Sequence, residues 1–401
     1  MYHPFTLNNE NSLNIMNIKI LLFFSIVISL FSLLGYLLFT RIGQAFPFEF
    51  VSSKIFLSIY VFLLSSFFVG KILENISINI LSESLIRIGS VAAGFFVYAL
   101  LAVLFFDILR GVNSIIPFFP TLITENYSQV KLLVGILSFI GVSTIMIIGF
   151  ANTIHPKIKN LDLNIQKPKS ALKELNIVAV SDIHLGTMVN HSKAKRLVKT
   201  IQNLNPDLIL IGGDIIDDNV YVVKKADILK HFKALKPKYG IYSCMGNHEY
   251  ISRAYKELDY IENNGIIMLK DSSVTIQNLF CIIGRDDKEA ATFGGEKRKS
   301  LNELTKDLDL ELPVFLLDHQ PFKLSETAEY PIDLQFSGHT HNGQFWPFNY
   351  ITSMVFEKDW GYLKKGSTHF YVSSGYGTSV PPIRVGNNAE VVHIKINNSS
   401  S

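Results

Sequence analysis

The sequence predicts two regions: an N-terminal all-α transmembrane region of four helices, then a C-terminal α/β domain built as a layered sandwich. Three observations carry this. The apolar excess of the chain is confined to its first 150 residues. From Leu175 onward, short apolar runs alternate with stretches of helical spacing. The last third is rich in short strands, which suits stacked sheets more than a helical bundle. With 401 residues there is room for both parts.

Four uncharged runs make up the first region. Ile20–Phe39 ends at Thr40-Arg41, and Ile55–Gly70 lies between Lys54 and Lys71. Ile88–Phe106 lies between Arg87 and Asp107, and Leu132–Phe150 follows Lys131. Three approach the ~20 residues that cross a hydrocarbon core. The second is shorter and draws on flanking residues such as Phe50-Val51. Four crossings leave both ends on one side. That side carries Lys19, Lys71, Arg87, Lys157, Lys159, Lys167 and Lys169, against Arg41, Lys54, Arg110 and Lys131 on the other. The excess of basic residues predicts a cytoplasmic C-terminal domain at the cell (inner) membrane.

Residues 1–150 are therefore the membrane region, 151–172 a linker and 173–397 the second domain. The linker expectation rests on its lysines, on Pro156 and Pro168, and on the lack of a long apolar run. Its lysines could also touch anionic headgroups. Beyond it, Asn176–Val180, Asp207–Ile211, Gly240–Met245, Val314–Leu317 and Leu334–Phe336 read as strands. His191–Leu204, Lys224–Leu235 and Arg253–Asn264 read as helices.

Five polar clusters punctuate that domain, four of them just after a strand. They are Asp182-Ile183-His184, Gly212-Gly213-Asp214-Ile215-Ile216-Asp217, Gly246-Asn247-His248-Glu249, Asp318-His319 and Gly338-His339-Thr340-His341. Carboxylate oxygen, amide oxygen and imidazole nitrogen gathered at strand ends suit divalent cations. Strand alternation would point Asp182 and His184 the same way, and likewise His339 and His341. Asp214 has two oxygens and can bridge two ions. Asp217 can orient a catalytic imidazole, cap a helix, or do both. Glu249 reads as the acidic start of a helix.

Net charge of +3 gives no case for nucleic acid. Cys244 and Cys281 lie in predicted strands as small buried hydrophobes, with no disulfide framework.

The ordered set of five motifs resembles the calcineurin-like metallophosphoesterase superfamily, over about residues 171–397. Val180–Gly186, Asp318-His319-Gln320-Pro321 and Gly338-His339-Thr340-His341-Asn342-Gly343-Gln344 resemble its bacterial membrane-anchored branch. There Asn342 stands where a glycine is usual. The resemblance implies a four-layer αββα sandwich and two metals. One would be held by Asp182, His184, Asp214 and His341; the other by Asp214, Asn247, His319 and His339. It implies hydrolysis of a phosphate ester, phosphodiester or pyrophosphate by a metal-bridging hydroxide, with His248 as acid, oriented by Asp217. Mn²⁺ is expected first, then Fe or Zn²⁺.

Substrate residues are less marked. Arg285 could bind a phosphate or form a surface salt bridge, and Asn342 borders the last motif. Phe345, Trp346 and Phe348 could face the membrane or pack as core, and core is the expectation. Expected partners are the bilayer and a phosphoester, such as a phospholipid or nucleotide-lipid. The alternative is a membrane sensor or transport-associated protein with a regulatory phosphoesterase-like domain. The absence of ionisable residues inside the apolar runs argues against a transport path.

Overall fold

The membrane region begins with a helix whose apolar residues leave no single polar face. In the computed structural model, which describes residues 7–217, 219–293 and 297–399, this is α1 (Leu7–Ala45). A short α2 (Phe48–Val51) leads to α3 (Lys54–Ile76), started by Ser53, whose hydroxyl accepts from Phe56 N. Then come α4 (Ile80–Ile115), a short α5 (Thr121–Glu125) and α6 (Tyr127–Ile154). Asn79 and Ser82 form a capping box at the start of α4, fixing the turn from α3. Among the described residues, α1, α3, α4 and α6 are long and apolar enough to cross a bilayer. Gly70 and Gly89 lie against the facing helix of the α3–α4 pair, so a side chain at either would strike it.

Beyond the helices, the chain forms two six-stranded sheets. The first has the order β1 (Lys157–Ile165), β12 (Glu390–Asn398), β2 (Glu174–Val180), β3 (Leu208–Ile211), β4 (Ile241–Cys244) and β5 (Ile267–Leu269). The second runs β10 (Gly361–Lys365), β11 (Thr368–Val372), β9 (Leu334–Ser337), β8 (Val314–Leu317), β7 (Phe280–Gly284) and β6 (Ser272–Ile276). β2 to β5 are parallel, as are β7, β8, β9 and β11.

Alternation along the strands assigns each side chain to a layer. Leu175, Ile177 and Ala179 of β2 meet Phe280, Phe315, Leu317 and Phe336 in the core between the sheets. Val178 and Val180 face the other way, against Leu197 and Ile201 of α7 (His191–Asn203) and the segments α8 (Val220–Ala226), α9 (Asn247–Ile251) and α10 (Leu258–Glu262). Cys281, Ile283, Val314 and Leu316 face Leu301 and Leu304 of α12 (Leu301–Thr305), which follows α11 (Ala290–Phe293). Two helical layers thus enclose two sheets. α13 (Leu324–Thr327) and α14 (Asn349–Val355) lie on the loops after β8 and β9. Both cysteines are free and buried.

The stretch expected to be a linker contains β1, paired in parallel with β12 from Lys157↔Glu390 to Ile165↔Asn398. Its period-two pattern of Leu161, Leu163 and Ile165 was the signal, masked by the intervening Asp162 and Asn164 and by Lys157 and Lys159 before it. Two expected helices are also broken. Asp227 (φ 50°) ends α8 and a 3₁₀ turn covers Ile228–Ala234; Arg253 (φ 64°) precedes a 3₁₀ turn before α10. Left-handed backbone at a non-glycine residue is not visible in apolar spacing.

Membrane helices and sheets meet directly. Arg384 N donates to Gly149 O at 2.8 Å, and Asn152 Nδ2 donates to Arg384 O at 3.0 Å. Tyr98, Val142 and Met146 of the helices share a buried cluster with Ile383.

Candidate metal centre

Five loops leave the C-terminal ends of β2, β3, β4, β8 and β9 and converge. The strands end before the polar clusters, so strand alternation does not aim Asp182 and His184. Both have left-handed backbone (φ 51° each), as do Asp214 (53°), His339 (70°) and His341 (50°). Conformations of this kind cost of order 1–3 kcal/mol each, and surrounding structure must impose them. Here it does. Asp182 N donates to Gly213 O at 3.1 Å, and His184 N to Asp214 O at 3.0 Å.

Two glycines permit the convergence. A methyl group at Gly338 would overlap Ser181 Oγ and Asp182 Oδ2, and one at Gly246 would overlap Asp214 Oδ1. Glu249 locks the same loops. Its buried carboxylate accepts from the backbone N–H of Asp214 (2.9 Å), Ile215 (2.7 Å), Ile216 (3.3 Å) and Gly246 (2.7 Å). Sequence reasoning gave it only a helix start. Its place three residues into a helix begun by glycine fits a capping box, but not the reach back to Asp214.

The donor atoms form two groups sharing one oxygen. Asp214 Oδ2 lies 3.9 Å from His184 Nε2 and 3.1 Å from His319 Nε2. In the first group, His184 Nε2 is 3.1 Å from His341 Nε2, and Asp182 Oδ1 is 3.5 Å from His341 Nε2. In the second, Asn247 Oδ1 is 3.1 Å from His319 Nε2 and 2.9 Å from His339 Nδ1. Bonds of ~2.1 Å to one cation place neighbouring donors about 3–3.5 Å apart, and most of these separations fit. All seven sequence-predicted ligands are present in these groups.

Outer contacts select the right nitrogens. His184 Nδ1 is 2.8 Å from Asp217 Oδ1, and His319 Nδ1 is 2.6 Å from Gly212 O. Each oxygen accepts the Nδ1 proton and leaves Nε2 free to ligate. Asp217 therefore holds a candidate ligand, His184, with its carboxylate, whereas sequence reasoning gave that carboxylate to His248. His248 Nδ1 instead donates to the backbone carbonyl of Asp217 at 2.7 Å, with Oδ1 of the same residue at 3.4 Å. His248 N also donates to Asp214 Oδ1 at 2.8 Å, which ties its loop to the shared carboxylate.

Electrostatics point the same way. Burial pushes Asp182 up, and the charge of Asp214 adds to that. Burial would raise Asp214 too, but the charges of His319 and His248 hold it well below the usual carboxylate range. Burial alone would lower His184; the hydrogen bond and charge of Asp217, with Asp214 and Asp182, lift it to about 9. Burial and the charge of His319 lower His339 to about 3. Burial, His184 and Arg384 lower His341. Without metal, the two buried carboxylates thus face His184 and His319, both held above the ordinary imidazole range in spite of burial, and a divalent cation would take the place of those protons.

Arg384, fully buried, is a second residue whose role the sequence left open. Its Nη2 donates to Gly377 O at 2.7 Å and Gly375 O at 3.0 Å, and lies 3.3 Å from His341 Nδ1. It fastens the late loop beneath Asp182, where Gly377 N donates to Asp182 O at 2.6 Å.

The two substrate candidates fare differently. Arg285 pairs with Asp318 (Nη1–Oδ2 3.1 Å), and Arg298 pairs with the same carboxylate. This is the salt-bridge alternative, though the pair is mostly buried. Asn342 adopts left-handed backbone (φ 48°) beside His341, and its carbonyl accepts from Asn387 Nδ2 at 3.1 Å. Of the aromatics, Phe345 packs toward the membrane helices, but Trp346 and Phe348 are exposed, which departs from the expected core packing.

Two candidate donor groups sharing one oxygen at the strand ends of an α/β sandwich suit a class, the dinuclear metallohydrolases. Comparison with known proteins is specific. The family model for calcineurin-like phosphoesterases matches residues 175–343. A metallophosphoesterase of Aquifex aeolicus, named as uncharacterized, is 32% identical over 226 residues, 56% of this chain and 85% of that protein. A Bacillus subtilis one is 29% identical over 260 residues, 61% and 92% respectively. A Danio rerio protein named transmembrane protein with metallophosphoesterase domain is 30% identical over 275 residues, 65% of this chain. The match spans 62% of that relative's length. The chain belongs to the calcineurin-like metallophosphoesterase family, here joined to four membrane-type helices.

Proposed function

We propose that this chain is a membrane-bound phosphoesterase with two divalent cations, hydrolysing a phosphate ester, phosphodiester or pyrophosphate. The sharing of Asp214 Oδ2 between the two donor groups carries this reading. Asp182, His184, Asp214 and His341 would hold one cation; Asp214, Asn247, His319 and His339 the other. Such a pair, when bound, activates water near neutral pH and offsets charge on the phosphoryl oxygens.

The chain's own residues do the rest. His184 and His319 present Nε2 because Asp217 and Gly212 hold their Nδ1 protons. His248 keeps Nδ1 on the carbonyl of Asp217 whether neutral or protonated, so Nε2 can deliver a proton to the leaving oxygen. The ring of His248 meets that of His184 edge-on at 4.5 Å, which places it beside the first donor group. It is partly exposed, within reach of a substrate, while the ligands His184 and His319 are sealed. Mixed oxygen and nitrogen donors without thiolate suit Mn²⁺, Fe or Zn²⁺, and the family resemblance puts Mn²⁺ first. The basic-residue count supports a cytoplasmic site.

The test is a panel of soluble phosphomonoesters, phosphodiesters and pyrophosphates on the full chain with Mn²⁺. Hydrolysis of at least one, lost in Asp214→Asn together with metal, is expected. Two bound metals with no hydrolysis of any would overturn the reading.

A further inference from the structure

We propose that the rim of the metal centre, residues 345–356, lies within the membrane leaflet, and that the site there receives a lipid-borne phosphoester; the second part rests on the phosphoesterase reading above.

α14 has inverted amphipathic order. Asn349 and Thr352 face the protein, where Thr352 Oγ1 donates to Asp359 Oδ2 at 3.0 Å. Tyr350, Ile351, Met354 and Val355 face outward, with Met354 78% exposed. Trp346 and Phe348 extend the same apolar surface. A short helix that turns its apolar residues away from the core marks an interaction surface.

The membrane helices identify what covers it. Tyr98 OH, in α4, donates to Trp346 O at 2.8 Å, and the Tyr98 and Phe345 rings are 6.3 Å apart. Tyr98 lies midway along the uncharged stretch between Arg87 and Asp107. At 1.5 Å per residue it is ~16 Å from Arg87 and ~14 Å from Asp107, well inside a ~30 Å hydrocarbon core. Gly94, one turn earlier on α4, lies close against the Met146 side chain of α6 and against Pro381. The rim is therefore fastened to two spans at a depth the bilayer occupies. An apolar surface held there meets acyl chains.

The same rim adjoins the site. The ring of Phe356, which ends α14, is 6.0 Å from that of His339. Gly343, from the loop that carries His341, sits directly against the backbone of Asn349. A phosphoester anchored by acyl chains along α14 would present its phosphorus beside His339. Hydrolysis adds one water: its oxygen bonds to phosphorus, the bond from phosphorus to the leaving oxygen breaks, and that oxygen takes a proton.

The chain has two tryptophans, Trp346 and Trp360, which allows a direct test. The full chain is reconstituted in phosphatidylcholine vesicles with brominated acyl chains. At least twofold quenching of a component that disappears in Trp346→Phe is expected. Quenching of that component by aqueous iodide, with none by bromolipid, overturns the immersion. Turnover is then compared between a diacylglycerol p-nitrophenyl phosphodiester in vesicles and soluble bis-p-nitrophenyl phosphate. Ile351→Asp and Met354→Asp should each lower the vesicle-to-soluble ratio at least tenfold. An unchanged ratio overturns the lipid substrate. Bromolipid quenching with two metals bound and no hydrolysis of either ester would instead sink the phosphoesterase reading and leave the immersed rim standing.

Discussion

Asp217 holds two histidines at once: its carboxylate lies 2.8 Å from Nδ1 of His184, and its backbone carbonyl 2.7 Å from Nδ1 of His248. One residue thereby links a metal ligand to the proposed acid, through different atoms. Side-chain substitution separates the two. Asp217→Ala removes the carboxylate from His184 and leaves the carbonyl on His248. Metal affinity should fall about 10–100-fold, the usual scale for such outer contacts. Turnover at saturating metal should stay within a few-fold of the parent. Metal titration followed by turnover at saturation separates the two quantities.

His248→Ala should show the opposite pattern. Metal content stays near two per chain, because His248 belongs to neither donor group. Turnover falls at least ~100-fold, as expected on removing a general acid. Full activity in this variant would remove His248 from that role.

Glu249→Gln tests the loop anchor. The carboxylate accepts four backbone N–H groups, and an amide offers one oxygen and a competing donor. Each N–H left unsatisfied costs about 1–3 kcal/mol. The thermal midpoint of the phosphoesterase domain should drop by about 2–4 °C for each kcal/mol lost. A midpoint equal to the parent's would mean that these hydrogen bonds contribute little.

Gly338→Ala places a methyl group on Asp182 and Ser181. The first donor group should lose Asp182, and metal content should fall from two toward one. Elemental analysis of the purified variant reads this directly, and retention of two metals would contradict the close approach.

Proton competition sets the pH dependence. In the metal-free chain His184 is raised to about 9 by Asp217, Asp214 and Asp182 in spite of burial. A folded value above the ordinary 6.5 stabilises the metal-free fold below about pH 6.5, and this is lost as pH rises through about 9. Metal must displace that proton, so affinity runs the other way. Calorimetric titration at pH 6.5 and 8.5 should show Mn²⁺ binding about 100-fold tighter at the higher pH, with proton release. A flat profile would show that His184 is already neutral.

Much of this was legible in the residues. The four uncharged runs reappear as α1, α3, α4 and α6, and the five clusters do meet at strand ends. Less legible were features that depend on backbone shape. Asp182, His184, Asp214, His339 and His341 converge by left-handed turns, which apolar periodicity does not report. Glu249 and Arg384 act across the fold, on Asp214 35 residues away and His341 43 residues away in sequence, so no local pattern marks them. β1 was hidden because Lys157 and Lys159 open its inward face and Asn160, Asp162 and Asn164 alternate with its leucines. Trp346 and Phe348 read as core because apolar residues beside a motif usually are, but both are exposed.

The central claim is a pair of cations bridged by Asp214 and required for hydrolysis. Full-length protein in nanodiscs is stripped with EDTA and titrated with Mn²⁺ while bis-p-nitrophenyl phosphate turnover and bound metal are followed together. Activity should be absent in the stripped protein and return as occupancy approaches two per chain. Turnover that survives stripping, or that reaches its maximum at one ion per chain, would contradict the account.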